Sequence, residues 1–393
     1  MTGPTAPPDE RRAWAWVEHL RAGGTTPWAQ WSASTGAGER AGRFLPGAQQ
    51  LELLRRLNLA APTSVSTELA GRVLAASAPG RGRPDLELVG ADSGSPYGPR
   101  PVDPADLSDD ELVRVATSLL ADDLVAAGPP TPPPPPPLTR PWRRRYRLVG
   151  DPALADPLRA QLIARGRPPG GRHPRILVLG APADRMLADA FTARAFDTGG
   201  PSWSEWMAIL AERDQLGPRG DLARLARRWA GRAGPGQVTI VLDPRVVHRL
   251  VGVRRRLVVP SPLSAEAVDL ARRVAAVLGL LVTPEARTAL LRKSLAPRLA
   301  GAAGGVLCVP EEHRAWLTDR AGRMRQQLER AGYPVVGAPG GGGLAGGPGL
   351  TGVLPGYPPD GPDSVVDVAD TGVLRVAVEL LLRSPSPGSE ASA

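Results

Sequence analysis

Four histidines, one cysteine and one run of arginines with aromatics carry the chemistry this chain could offer. An imidazole exchanges a proton near neutral pH, so each histidine is first read as a general acid or base. His173 lies in Gly-Gly-Arg-His-Pro-Arg just ahead of an apolar run, and His248 follows Leu-Asp-Pro-Arg-Val-Val. Both fall in or near loops and are the two candidates for a catalytic base; the competing reading is an ordinary surface or capping histidine. His19 and His313 belong to helical patterns, and no two of the four have zinc-site spacing, so no metal is expected. Cys308 sits in the apolar run Val306–Val309 and reads as a buried structural thiol. As the single cysteine it excludes an intramolecular disulfide framework. The segment Arg140-Pro-Trp-Arg-Arg-Arg-Tyr-Arg147 interleaves five arginines with Trp142 and Tyr146. Guanidinium groups beside aromatic rings suit phosphate, sulfate or nucleic acid, which makes Arg143, Arg144 and Arg145 candidate anion ligands. Against this stands a solvated entry into the next strand. Arg254–Arg256 offers the same pair of readings.

Composition tempers the charge. The formal net charge is +9, but Lys293 is the one lysine, and arginine, alanine, glycine and proline dominate as in a GC-rich genome. Part of that charge is therefore compositional, and nucleic acid is the less favoured partner. The N-terminus has acids and prolines where an export signal needs a basic start and an apolar core. No apolar run reaches the ~18–20 residues of a membrane span. A cytoplasmic protein without a membrane partner is the expectation.

The elements that must position these residues are organised around 175–206. Ile176–Leu179 is an apolar run stopped by Gly180, the length and punctuation of a buried parallel strand. Ala183, Met186, Leu187, Ala190 and Phe191 then share one helical face, and Trp203 and Trp206 lie one turn apart on the next element. Residues 1–128 read as mainly helical, with a capping box expected at Ser108-Asp-Asp-Glu111 ahead of a helix carrying Leu112, Val115, Leu119 and Leu124. A proline-rich linker spans 129–139, because proline lacks the amide donor that helices and central strands need. From 140 to 383 strands and helices alternate: Tyr146–Val149, Asp151–Arg165, Ile176–Leu179, Ala183–Phe196, Val238–Leu242, about Glu311–Ala331, Val335-Val336 and Leu374–Leu382. Such alternation predicts an α/β fold, a parallel sheet flanked by helices. Residues 384–393 are expected to be a disordered tail. Gly340–Gly347 contains neither nucleotide-binding fingerprint and reads as a surface loop.

The region from about 146 to 383 resembles the sulfotransferase-like P-loop proteins of actinobacteria. The segments ILVLGAPADRMLADAFTARAF, PSWSEWMAIL, DLARLARRWAGRAGPGQVTIVLDP, SAEAVDLARRVAAVLG and RAGRMRQQLERAGYPVVGAP carry the likeness in order. The resemblance implies a cofactor, phosphoadenosine phosphosulfate, held by a loop after the first strand. Here that stretch is Gly150-Asp-Pro-Ala-Leu-Ala-Asp-Pro157, which makes Gly150 and Asp151 the cofactor-site positions. It contains no Lys, Ser or Thr, two prolines remove amide donors, and Asp151 and Asp156 add negative charge. The family's Arg and Ser for the ribose phosphate correspond to Gly180 and Ala188, neither of which has a side-chain donor. Arg185 lies nearby and is the candidate substitute.

Three functions follow as expectations. The first is a divergent member that has lost cofactor binding and serves as a binding or scaffold protein, with an unknown protein partner and no cofactor. The second is an active sulfotransferase using phosphoadenosine phosphosulfate through Arg185 or Arg140–Arg147. The third is a binder of nucleic acid or another polyanion through the two arginine runs. A scaffold would expose tryptophans, for which Trp28 with Trp31 and Trp203 with Trp206 are the pairs to watch, although burial in a core is their commoner fate.

Overall fold

The computed structural model describes residues 8–33, 45–76, 86–91, 101–129, 145–150, 152–171, 173–337, 350–357 and 364–383. The helices in chain order are α1 (Pro8–Arg21), α2 (Trp28–Ser32), α3 (Ala48–Ala60), α4 (Thr67–Ala75), α5 (Asp109–Ala127), α6 (Pro152–Ala164), α7 (Ala183–Ala195), α8 (Trp203–Glu212), α9 (Gly217–Gly220), α10 (Leu222–Ala233), α11 (Val247–Leu250), α12 (Ala265–Leu281), α13 (Pro284–Ala289), α14 (Ala296–Leu299), α15 (Glu311–Ala331) and α16 (Asp370–Arg383). The strands are β1 (Glu87–Leu88), β2 (Pro101–Val102), β3 (Tyr146–Val149), β4 (Arg175–Leu179), β5 (Val238–Val241), β6 (Val306–Leu307), β7 (Val335–Val336) and β8 (Ser364–Val365).

Two compact units divide the chain. One comprises 1–130 with 269–303 and 368–393; the other comprises 131–268 with 304–367. The first break coincides with the proline-rich linker, of which residues 130–139 lie outside the described residues. The expectation of one uninterrupted α/β region from 140 to 383 differs from this division, because the chain returns twice to the helical unit. The cause is apolar surface. α16 buries Val373, Leu374, Val376, Ala377, Val378, Leu380 and Leu381, and it packs on α5 and α3. The tail at 384–393 lies outside the described residues.

Within the helical unit α3 is buried on nearly every side, polar residues included. Glu52 is only 2% exposed and accepts from Arg55 at 2.6 and 2.7 Å and from Arg56 at 2.8 Å. Asn58 donates to the carbonyls of Leu20 and Gly24, both at 2.9 Å, and so pins the turn after α1. Buried polar groups of this kind need such partners to be tolerated. A second polar centre lies where α5, α12 and α16 begin to meet. Arg273 is paired with Asp269 on its own helix, with Asp110 in the first turn of α5 and with Asp370 in the first turn of α16. The expected capping box is corrected: Ser108 is the N-cap of α5, but its side chain makes no capping bond, and Glu111 instead lies 3.0 Å from Arg114. A capping box does form at Ser202 and Glu205, at the start of α8.

The second unit holds a four-stranded parallel sheet in the order β3-β4-β5-β7. Register pairs Leu148 with Leu177, Leu177 with Thr239, and Ile240 with Val335. One face therefore presents Tyr146, Leu148, Leu177, Leu179 and Val241, which pack with Ala155, Leu158 and Leu162 of α6 and with Val247 and Leu250 of α11. The other face presents Ile176, Val178, Val238 and Ile240, all buried, and α10 packs against β4 and β5. The expected α/β architecture, a parallel sheet flanked by helices, is present. β6 and β8 form a separate parallel pair.

Candidate functional site

In an open parallel sheet, ligands bind outside the carboxyl ends of the strands, at a point where strand order reverses. Here the order follows the sequence throughout, so the described strands contain no reversal. At their carboxyl edge two turns approach the neighbouring strand ends closely. Gly150 follows β3 with φ +148°, and a Cβ there would stand 2.8 Å from the Leu179 Cβ. Gly337 follows β7 with φ +86°, and a Cβ would stand 2.7 Å from the Asp243 Cβ. Both positions need glycine for close approach to the neighbouring strand end.

The residues corresponding to the expected phosphate loop are engaged locally. Asp156 pairs with Arg159 at 2.6 Å, and the same guanidinium donates to the Leu148 carbonyl at 3.0 Å. Pro157 lies inside α6, and Asp151 lies outside the described residues. The Gly180 amide donates to Val241 at 2.9 Å, while Leu222 and Leu242 fill the space a side chain would take. Arg185 is bound to Asp189 at 2.8 Å, one turn along α7. Asp189 is 8% exposed; burial holds its carboxyl above the usual aspartate range, and the charge and hydrogen bond of Arg185 pull it part of the way back.

The candidate bases are not brought together. His173 is exposed, with φ +50°, and precedes the first residue of β4, so it sits at the amino edge of the sheet. His248 is buried on α11, beyond the carboxyl end of β5, with Nδ1 2.6 Å from the Arg245 carbonyl. That contact ties the ring to the turn just ahead of α11. His19 lies 3.0 Å from the Thr26 hydroxyl and stacks on Trp31. Cys308 is buried, as its apolar run implied.

Of the candidate anion ligands, Arg143 and Arg144 lie outside the described residues, and Arg145 is exposed just before β3. Arg254–Arg256 is an exposed turn. Arg165, just after α6, donates to the carbonyls of Arg255 and Arg256 and so fixes this turn through its backbone. The tryptophans are chiefly structural. Trp28 and Trp203 are buried, and Trp203 and Trp206 lie 5.2 and 5.5 Å from the Phe191 ring, centroid to centroid.

One cluster escaped the sequence reading. α10 exposes Arg224, Arg227, Arg228 and Arg232. Its half-buried Trp229 has the guanidinium of Arg232 5.5 Å and that of Arg147, from β3, 5.9 Å from its ring centroid. The signal was the spacing: Arg224, Arg228 and Arg232 repeat every four residues, a stripe along one helix.

Comparison with protein-family models, with curated proteins and with solved structures finds no match for this chain. Among the described residues no group of three or more His, Cys, Asp or Glu is arranged to hold a metal ion. No described helix is long and apolar enough to cross a membrane.

Proposed function

We propose that this chain is a non-catalytic binding or scaffold protein on a divergent sulfotransferase-like P-loop framework whose cofactor site is degenerate. The framework reading is supported by the unit β3–turn–α6–β4–α7, with Gly150 at the turn where a phosphate loop would stand. The carrying observation for the loss of cofactor binding is the pairing of Arg185 with Asp189 at 2.8 Å. Arg185 is the cation the sequence puts forward in place of the missing phosphate ligands, and its charge already answers a buried carboxylate. Removing it from that partner to hold a phosphate would leave an unpaired buried charge, a cost of about 3–5 kcal/mol.

Calorimetric titration with adenosine 3′,5′-bisphosphate, the desulfated form of the family's cofactor, tests this. No heat at millimolar ligand is the expected result. Micromolar binding abolished by Arg185→Ala would replace this proposal with the active sulfotransferase.

A further inference from the structure

We infer that the exposed face of α10, together with Arg147 of β3, is a binding surface for the phosphate backbone of single-stranded nucleic acid. The inference deepens the reading of the chain as a binding protein and rests on it. α10 contains four arginines and no acidic residue. The nearest acid in sequence, Asp221, caps the helix by accepting from the Arg224 amide at 2.8 Å. Among the described residues Arg147, Arg224, Arg228 and Arg232 form no ion pair, whereas Arg219 just upstream is paired with Asp197 at 2.8 Å. Arg227 has only a neutral partner, Gln327, at 3.0 Å. The apolar side of the helix is anchored by Leu222, Ala223 and Ala226, so the cationic stripe is displayed from a fixed support.

Two features separate this from an ordinary solvated face. Arg147 and Arg232 are gathered at one indole ring, where their mutual repulsion is offset by cation–π attraction and by no carboxylate. An anion beside that ring supplies the missing counter-charge. The stripe of Arg224, Arg228 and Arg232 also climbs about 6 Å per step, from ~1.5 Å per residue, a linear array that suits successive phosphates of one strand. Guanidinium forks grip phosphate through paired hydrogen bonds.

The geometry selects among polyanions. α10 lies with one side packed on β4, β5 and α15, which leaves its arginines along one outward line. A flexible single strand can follow a straight stripe. A membrane-surface helix needs a broad apolar face for the bilayer, and Leu222, Ala223 and Ala226 of α10 are buried in the protein instead.

The test is fluorescence anisotropy of a labelled oligothymidylate, longer than the ~16 nucleotides of a large single-site footprint, titrated with the full chain at several salt concentrations. Binding should weaken with salt, and Arg228→Gln/Arg232→Gln should weaken it at least tenfold. With about 0.7 per phosphate contact for single strands, the double variant should lower the log–log salt slope by about 1.4. The matching double lysine variant, R228K/R232K, should recover the slope but only part of the affinity. Both variants alter exposed side chains, and circular dichroism checks that they fold. Wild-type binding unchanged in the glutamine variant would overturn the assignment, as would absence of binding at low salt. Equal binding of polyglutamate, of phosphatidylserine vesicles or of duplex DNA would also overturn it, by showing a response to charge alone. These outcomes are distinct from adenosine bisphosphate binding lost on Arg185→Ala, which would overturn the proposed function itself.

Discussion

The indole N–H of Trp203, at the start of α8, donates to the backbone carbonyl of Cys308, 2.8 Å away and 105 residues along the chain. Both residues are buried. The amide of Cys308 is meanwhile used by Val365, at 2.8 Å, so one short segment is held from two sides. Trp203 also packs against Phe191 of α7, with ring centroids 5.2 Å apart. A residue that sequence reading could offer as a surface anchor is instead a tie between α7, α8 and the β6 segment.

Trp203→Phe should therefore cost stability. It keeps most of the apolar contact but leaves the Cys308 carbonyl without its indole donor, a loss of about 1–3 kcal/mol. The thiol gives a local readout, since buried Cys308 reacts with a thiol reagent only when its segment opens. Urea unfolding should shift to lower denaturant, and native-state labelling should accelerate. Unchanged labelling with lowered global stability would show that Trp203 does not hold this segment.

Arg273 yields a graded prediction. It meets three carboxylates of unequal burial: the Asp269 side chain is 6% exposed, whereas those of Asp110 and Asp370 are 41% and 40% exposed. Arg273→Ala leaves the buried Asp269 with Arg272 alone, and should cost about 3 kcal/mol. Asp370→Asn removes a solvent-screened partner and should cost below about 1 kcal/mol. Equal costs in urea titrations would contradict the ranking by burial.

Much of the fold was legible, and for a simple reason. The strand at 176–179 is an apolar run stopped by Gly180, that at 146–149 ends at Gly150, that at 238–241 is rich in β-branched residues, and α15 begins at Glu311 and stops at Gly332 as its pattern implied. What stayed hidden depends on distance in sequence. Nothing in 269–303 or 368–383 marks those helices as partners of α5, because an apolar helical face does not name the face it covers. The candidate site failed differently. Arg185 is the substitute phosphate ligand the sequence offers, and its partner four residues on stands in the sequence at a helical spacing. His248 could be placed near a loop, but its bond to Arg245 depends on the turn after Asp243. Arg147 and Trp229 lie on separate elements, and only the sheet brings them together.

Tyr146 should report on alkaline unfolding. Its hydroxyl donates to the Arg167 carbonyl, and burial pushes its pKa up to about 12, against a smaller downward pull from Arg167 and Arg159. The unfolded phenol titrates near the ordinary ~10. Between these values the folded state holds a proton that the unfolded state has lost, so stability falls as pH rises through this window. Tyr146→Phe should be less stable near neutrality by about 1 kcal/mol from the lost hydrogen bond. It should also lack this part of the alkaline decline. Equal pH slopes for the two proteins, followed by urea midpoint, would place the phenol in contact with solvent.

The Arg185–Asp189 pair links stability to the proposed function. Burial holds the Asp189 pKa above the usual aspartate value, with Arg185 pulling against it. As pH rises past the unfolded value of ~3.9, the unfolded state releases this proton first, so wild-type stability falls relative to Asp189→Asn until the folded group has ionised. Arg185→Ala removes the opposing pull. Its Asp189 should stay protonated to higher pH, the window should widen upward, and the deficit near neutrality should reach about 3 kcal/mol. In the double variant Arg185→Ala/Asp189→Asn no buried charge remains, and most of the deficit should disappear. A cofactor-binding arginine would behave otherwise: removal would change ligand affinity, and the double variant would not restore it. Urea midpoints of the four proteins from acid to neutral pH, with and without adenosine 3′,5′-bisphosphate, separate the two roles. A deficit independent of pH would contradict the raised Asp189 pKa, and adenosine 3′,5′-bisphosphate affinity lost with Arg185 and not restored in the double variant would assign Arg185 to the ligand.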